Sequence, residues 1–70
     1  YLASDFEYYG KLLVKNDQDS LGIENIEKAY TMDSTRYDLL GELGTIYISN
    51  KKYDKAVAAL EKKVQKKSST

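Results

Sequence analysis

Leu40-Gly41-Glu42-Leu43-Gly44-Thr45-Ile46-Tyr47 reads as a helical face whose bulky residues fall three and four apart around a glycine. The same spacing occurs 34 residues earlier, where Phe6-x-x-Tyr9-Gly10-x-x-Leu13 matches Leu40-x-x-Leu43-Gly44-x-x-Tyr47. That shift also pairs Asn16 with Asn50, Glu27 with Glu61, Lys28 with Lys62 and Ser34 with Ser68. It preserves the character of Leu12/Ile46, Val14/Ile48, Gly22/Ala56, Ile23/Val57 and Ile26/Leu60. A gapless period in this range marks stacked supersecondary units, whose usual product is a binding surface and not a catalytic pocket.

Outward from that face, four stretches carry the helical period. They are marked by Phe6, Tyr9, Gly10 and Leu13; by Gly22, Ile23, Ile26, Ala29 and Tyr30; by Leu40, Leu43, Gly44 and Tyr47; and by Tyr53, Ala56, Val57, Leu60 and Val64. The expected helices span about 3–16, 18–32, 36–49 and 52–66. Without proline, no helix is broken from within. Asn16 and Asn50 fall at helix ends and tolerate the left-handed cap conformation. Asp33-Ser34-Thr35 offers capping oxygens to the third helix. Short connections make consecutive helices antiparallel neighbours. The expected fold is all-α, four antiparallel helices in two stacked hairpins, 1–34 and 35–68, with residues 66–70 a frayed tail. A plain four-helix bundle fits the same helix list, but it has no need to repeat small residues at fixed sites.

Composition narrows the function classes. Seventy residues make one small domain or part of a larger one. Residue 1 is Tyr and the helical pattern starts almost at once, so a fragment of a longer chain is expected. There is no Cys for disulfides or thiolate metal sites, and no His. The net charge of zero argues against nucleic acid, whose phosphates need a basic surplus. No apolar run approaches membrane-spanning length. Residues 1–35 carry seven acids against three lysines, and 36–70 carry four acids against eight bases, so the halves are −4 and +4. This asymmetry reads either as solvated helix faces or as a dipole that favours head-to-tail contact with a like unit.

Sharper chemistry finds little support. Asp17-x-Asp19-x-x-Gly22 has the start of a calcium loop, but Leu21 and Lys28 stand where oxygen ligands are required. The pairs Glu24/Glu27 and Asp5/Glu7 read as exposed-face acids, and no glycine cluster could cradle phosphate. The lysines of the last helix read as a solvated face, or as a surface for an acidic partner. No cofactor, metal or catalytic residue is expected.

The repeated pattern resembles the tetratricopeptide repeat, a unit of helix A then helix B. The residues that carry the resemblance are Leu40-x-x-Leu43-Gly44-x-x-Tyr47, then Tyr53-x-x-Ala56 and Leu60, with Gly22-Ile23-Glu24 and Glu27 through Ser34 closing the first copy. It covers essentially the whole chain and implies an α-α superhelix. Five residues depart from it: Asp19 replaces the helix B aromatic, Leu13 replaces the helix A tyrosine, Ser34 and Ser68 replace a closing proline, and Lys63 replaces a small residue. The resemblance implies packing roles for Phe6, Tyr9, Gly10, Gly22, Ala29, Leu40, Leu43, Gly44, Tyr47, Tyr53, Ala56 and Leu60. The small residues among them let two helices cross closely. Glycine inside a helix costs about 0.5–1 kcal/mol relative to alanine, so it needs such a reason. Tyr30 takes a packing role on the same grounds, whereas Tyr8 is open between solvent and ligand contact.

The resemblance further implies a concave groove along the A helices. Its expected lining is Ser4, Glu7, Tyr8, Lys11, Val14, Lys15, Asp38, Glu42, Thr45, Ile48 and Ser49. Members of the family that clamp a chaperone's terminal carboxylate use Lys and Asn there. Here Glu7 and Glu42 would repel a carboxylate, so that clamp is rejected. The mixed, mildly apolar lining suits a protein partner offering a peptide or helix. The alternative is structural self-association, a homo-oligomer formed through the exposed end helices, since a period seen only twice leaves both end faces in need of a lid.

Overall fold

The structure is a computed structural model that describes residues 2–68, with the side chains of 66–68 excepted. It holds four helices: α1 (Ala3–Lys15), α2 (Asp19–Met32), α3 (Tyr37–Ser49) and α4 (Tyr53–Ser68). Expected starts and ends agree to within two residues. The expected fraying of 66–70 lies outside the described residues, apart from the backbone of 66–68, which continues α4. Each helix packs on the next in chain order, and the Cα framework is a slab of 36 × 30 × 12 Å.

The two α1–α2 and α3–α4 turns are built identically, 34 residues apart. In the first, the Asp17 N–H donates to the Val14 carbonyl at 3.0 Å and the Gln18 N–H to the Leu13 carbonyl at 2.8 Å. In the second, Lys51 donates to Ile48 at 3.0 Å and Lys52 to Tyr47 at 2.8 Å. This double bond pattern satisfies the last carbonyls of a helix and needs one left-handed residue just beyond the cap. The left-handed residues are Asp17 (φ 63°) and Lys51 (φ 60°), not the asparagines expected in that role. Asn16 and Asn50 sit one place earlier with φ of −92° and −97°. Asn50 instead ties the turn down, since its Nδ2 donates to the Ile46 carbonyl at 2.9 Å and to Asp19 Oδ2 at 2.6 Å.

The middle turn also differs from expectation. Asp33 Oδ1 accepts from the Thr35 N–H at 3.2 Å and the Thr35 hydroxyl at 2.6 Å, so this carboxylate closes its own small turn. The N-cap of α3 is Arg36, without a side-chain cap bond. At the start of α1, the Asp5 carboxylate accepts the Leu2 N–H at 2.9 Å.

The core runs through the central helices. Ile23, Ile26 and Ala29 of α2 meet Leu39, Leu43 and Tyr47 of α3 and Ala56 and Ala59 of α4, with Ala3, Phe6, Tyr30 and Ile46 packed against them. Leu13 and Leu40 are also buried. Tyr9 and Tyr53, expected to pack, are more than half exposed, because they sit on the outer surfaces of the first and last helices.

The glycines set the helix spacing. A Cβ on Gly10 would lie 2.9 Å from the Gly22 carbonyl oxygen and 2.7 Å from Ile26 Cγ1. One on Gly22 would lie 2.7 Å from the Gly10 carbonyl oxygen and would collide with Val14 Cγ2. Backbone therefore meets backbone where α1 crosses α2. In the second hairpin Ala56 replaces Gly22, and a Cβ on Gly44 would meet only the Leu60 side chain, at 2.9 Å. A side chain can turn away and a carbonyl in a helix cannot.

Gly22→Ala is therefore expected to destabilise by about 1–3 kcal/mol. Gly44→Ala should cost clearly less, because repacking Leu60 is offset by the gain in helix propensity. Thermal unfolding of both variants checks this, and an equal or reversed order would refute the close crossing of α1 and α2. Lys51→Gly is expected to stabilise by about 0.5–1 kcal/mol, since it relieves a left-handed lysine. A lowered thermal midpoint in that variant would count against the turn geometry.

Candidate functional site

Two grooves run between alternate helices. The first lies between α1 and α3 and has a volume of about 290 Å³. Lys11, Val14 and Lys15 form one wall, Glu42, Thr45 and Ile46 the other, and Ile26 of α2 the floor. Its exposed lining is almost wholly apolar. The floor follows from the glycine crossing, because Ile26 packs over Gly10 and Val14 over Gly22.

A network of charges spans this groove. Lys11 Nζ contacts Glu7 Oε2 at 2.8 Å within α1 and Glu42 Oε1 at 2.7 Å on α3. Arg36 Nη2 reaches Glu7 Oε1 at 2.7 Å and Asp38 Oδ2 at 2.8 Å, and its Nε donates to Asp38 Oδ1 at 3.1 Å. The carboxylates of Glu42 and then Glu7 hold the Lys11 ammonium well above the usual lysine range. Hydrogen bonds from Lys11 and then Arg36 hold Glu7 below its ordinary value of 4.5. Arg36 likewise lowers Asp38. Glu42 Oε2 is covered and has no hydrogen-bond partner among the described residues, so the bond from Lys11 to Oε1 is its main compensation.

Of the residues expected in the groove, Lys11, Val14, Lys15, Glu42 and Thr45 meet there. Glu7 and Asp38 join the network through Arg36. Ser4, Tyr8, Ile48 and Ser49 do not line it. Tyr8 is mostly exposed and Ile48 about half exposed, and the Ser49 hydroxyl donates to the Thr45 carbonyl at 3.2 Å. Thr45 Oγ1 donates to the Gly41 carbonyl at 3.1 Å, which leaves its methyl for the groove. Three contributors were not foreseen: Ile26, Ile46 and Arg36. The isoleucines carried a signal, since the repeat pairs Ile26 with Leu60 and Leu12 with Ile46. Arg36, the chain's one arginine, carried none, because its repeat mate is Leu2.

The second groove lies between α2 and α4 over Leu40, Leu43 and Tyr47, and its volume is about 490 Å³. It is larger but more polar, with Glu27 and Thr31 on one rim and Lys55 and Lys62 on the other. The Tyr47 hydroxyl donates to Glu27 Oε2 at 2.6 Å. Burial first, and then that carboxylate, push the phenol up to about 12. Lys55 Nζ stands 6.0 Å from the centre of the same ring, at the limit of a cation–π contact. The Tyr47 hydroxyl and the Glu27 carboxylate thus satisfy each other.

Among the described residues no cluster of three His, Cys, Asp or Glu could hold a metal. Asp19, from the calcium-loop-like stretch, accepts the Asn50 bond instead. No helix among the described residues is long and apolar enough to cross a membrane. Set against protein-family models, curated proteins and solved structures, the chain matches none.

The lowered Glu7 value ties the groove to pH. A carboxylate with a depressed folded-state value contributes stability that is present above its unfolded value and lost as pH falls through the folded one. The contribution of Glu7 is therefore complete above about 4.5 and disappears below it. Glu7→Gln is expected to lower the thermal midpoint at neutral pH and to flatten its decline in acid. Parallel pH curves for the two proteins would show that the network does not stabilise the fold.

Proposed function

We propose that this chain is a non-catalytic scaffold for protein interaction, built of tetratricopeptide-like hairpins, that takes an apolar peptide or helix in the α1–α3 groove. The observation that carries this reading is the nearly wholly apolar lining of that groove beside charges already paired with one another. A partner's apolar side chain entering over Ile26 would displace water without breaking the Glu7–Lys11–Glu42 links. Lys15, which has no ion pair among the described residues, stands on the rim for a partner carboxylate. Recognition of this kind buries an amphipathic segment along a groove and uses a few rim charges to set its direction. The larger α2–α4 groove fits less well, because binding there would compete with the Tyr47–Glu27 hydrogen bond.

Peptides selected on the chain from a displayed random library test the reading. Binders should carry an apolar residue followed by an acid, and should shift the resonances of Val14, Ile26 and Ile46. Thr45→Arg fills the groove and should weaken them tenfold or more. Lys15→Glu should weaken acidic binders by a smaller factor. Binders that shift only α2–α4 resonances and ignore both substitutions would overturn the assignment.

A further inference from the structure

The exposed apolar surface includes one face on each end helix, and the internal repeat says what fits each. On α4, Tyr53, Val57 and Leu60 form one stripe and are 58%, 56% and 38% exposed. A shift of 34 carries Val57 and Leu60 onto Ile23 and Ile26, which are 8% and 0% exposed in the core that α2 shares with α3. On the other side of that junction, Leu39, Leu43 and Ile46 of α3 shift onto Asp5, Tyr9 and Leu12 of α1. Tyr9 and Leu12 are 56% and 46% exposed. The two end helices thus carry the two halves of a junction that the molecule already makes once inside itself.

Charge selects between possible occupants. Ala29 and Leu39, each 0% exposed at the internal junction, shift onto Lys63 and Asp5. What is apolar on both sides within the chain is a base at one end and an acid at the other. The contrast is local: α1 as a whole is neutral, with Asp5 and Glu7 against Lys11 and Lys15, whereas α4 is basic. Docking α4 on another α4 would set lysines against lysines, whereas docking α1 on α4 sets Asp5 opposite Lys63.

We infer that the α4 stripe is a docking surface for α1 of a second copy of this chain. Tyr9 and Leu12 of one copy cover Val57 and Leu60 of the next, and Asp5 meets Lys63. The contact joins two different faces, so it does not close on itself and leaves one free face at each end of the assembly. It does not rest on the groove's having a ligand.

Sedimentation of the whole chain across a concentration series, with two variants, tests the inference. The wild type is expected to grow in mass with concentration, and added salt should weaken it. Tyr9→Asp and Val57→Asp each remove one face and should each reduce self-association tenfold or more, with helicity unchanged by circular dichroism. An equimolar mixture retains one intact α1 face and one intact α4 face, so it should form a one-to-one dimer and nothing larger. If either variant fails to fold, Asp5→Lys should lose association and regain it when mixed with Lys63→Glu. A wild type that stays monomeric throughout, as when another segment or partner covers α4, overturns the inference. So does a Tyr9→Asp variant that associates as the wild type does, which is the mark of a symmetric α4 contact.

Discussion

The contact between Gly10 and Gly22 is the constraint on which the rest of the structure depends. Each residue's carbonyl oxygen occupies the space that the other's Cβ would need, so α1 and α2 approach backbone to backbone. At that spacing Ile26 lies over Gly10 and Val14 over Gly22, and the same two side chains become floor and wall of the α1–α3 groove. The residue pair that fixes the helix packing therefore also shapes the groove. The second hairpin relaxes the constraint, with Ala56 in place of Gly22 and the Leu60 side chain covering Gly44.

Electrostatics act at a different level. The hydrophobic core is concentrated in α2, α3 and α4, and α1 lends it mainly Ala3 and Phe6 from the side. The connection from α1 to α3 is largely ionic, through Lys11–Glu42 and Arg36–Glu7. Partly buried ion pairs of this kind specify geometry more than they add stability, because desolvation offsets much of the attraction. Here the Lys11–Glu42 pair ties one wall of the groove to the other while the charges neutralise each other.

Much of the fold was legible in the sequence because the repeat is gapless. Periodicity and spacing located four helices, and the small residues marked the close crossing at Gly10 and Gly22, but not at Gly44, where the Leu60 side chain intervenes. The cap residue was displaced by one position, since propensity favours Asn in the left-handed conformation whereas the hydrogen bonds to Leu13 and Val14 require it at Asp17. Tertiary geometry decided there against local preference. The groove was legible where lining residues follow the helix A face, as at Lys11, Val14, Lys15, Glu42 and Thr45. It was not legible for Arg36, whose side chain joins Glu7 from 29 positions away in sequence. Tyr9 and Tyr53 lie on the end faces expected to lack a cover, so the packing role that the resemblance implied for them is not filled within the chain.

The thinness of the slab, 12 Å in its least dimension, has a consequence for how the molecule opens. The core is shallow and lies mainly along the central helices, so protection of backbone amides should be graded, greatest in α2 and α3 and least in the two outer helices. One wall of the α1–α3 groove belongs to an outer helix. Release of α1 therefore erases the groove before the core is lost, and any segment that filled it, by holding α1 in place, would draw on the same free energy that governs its opening. Occupancy of the groove and amide exchange in α1 are two readings of one equilibrium.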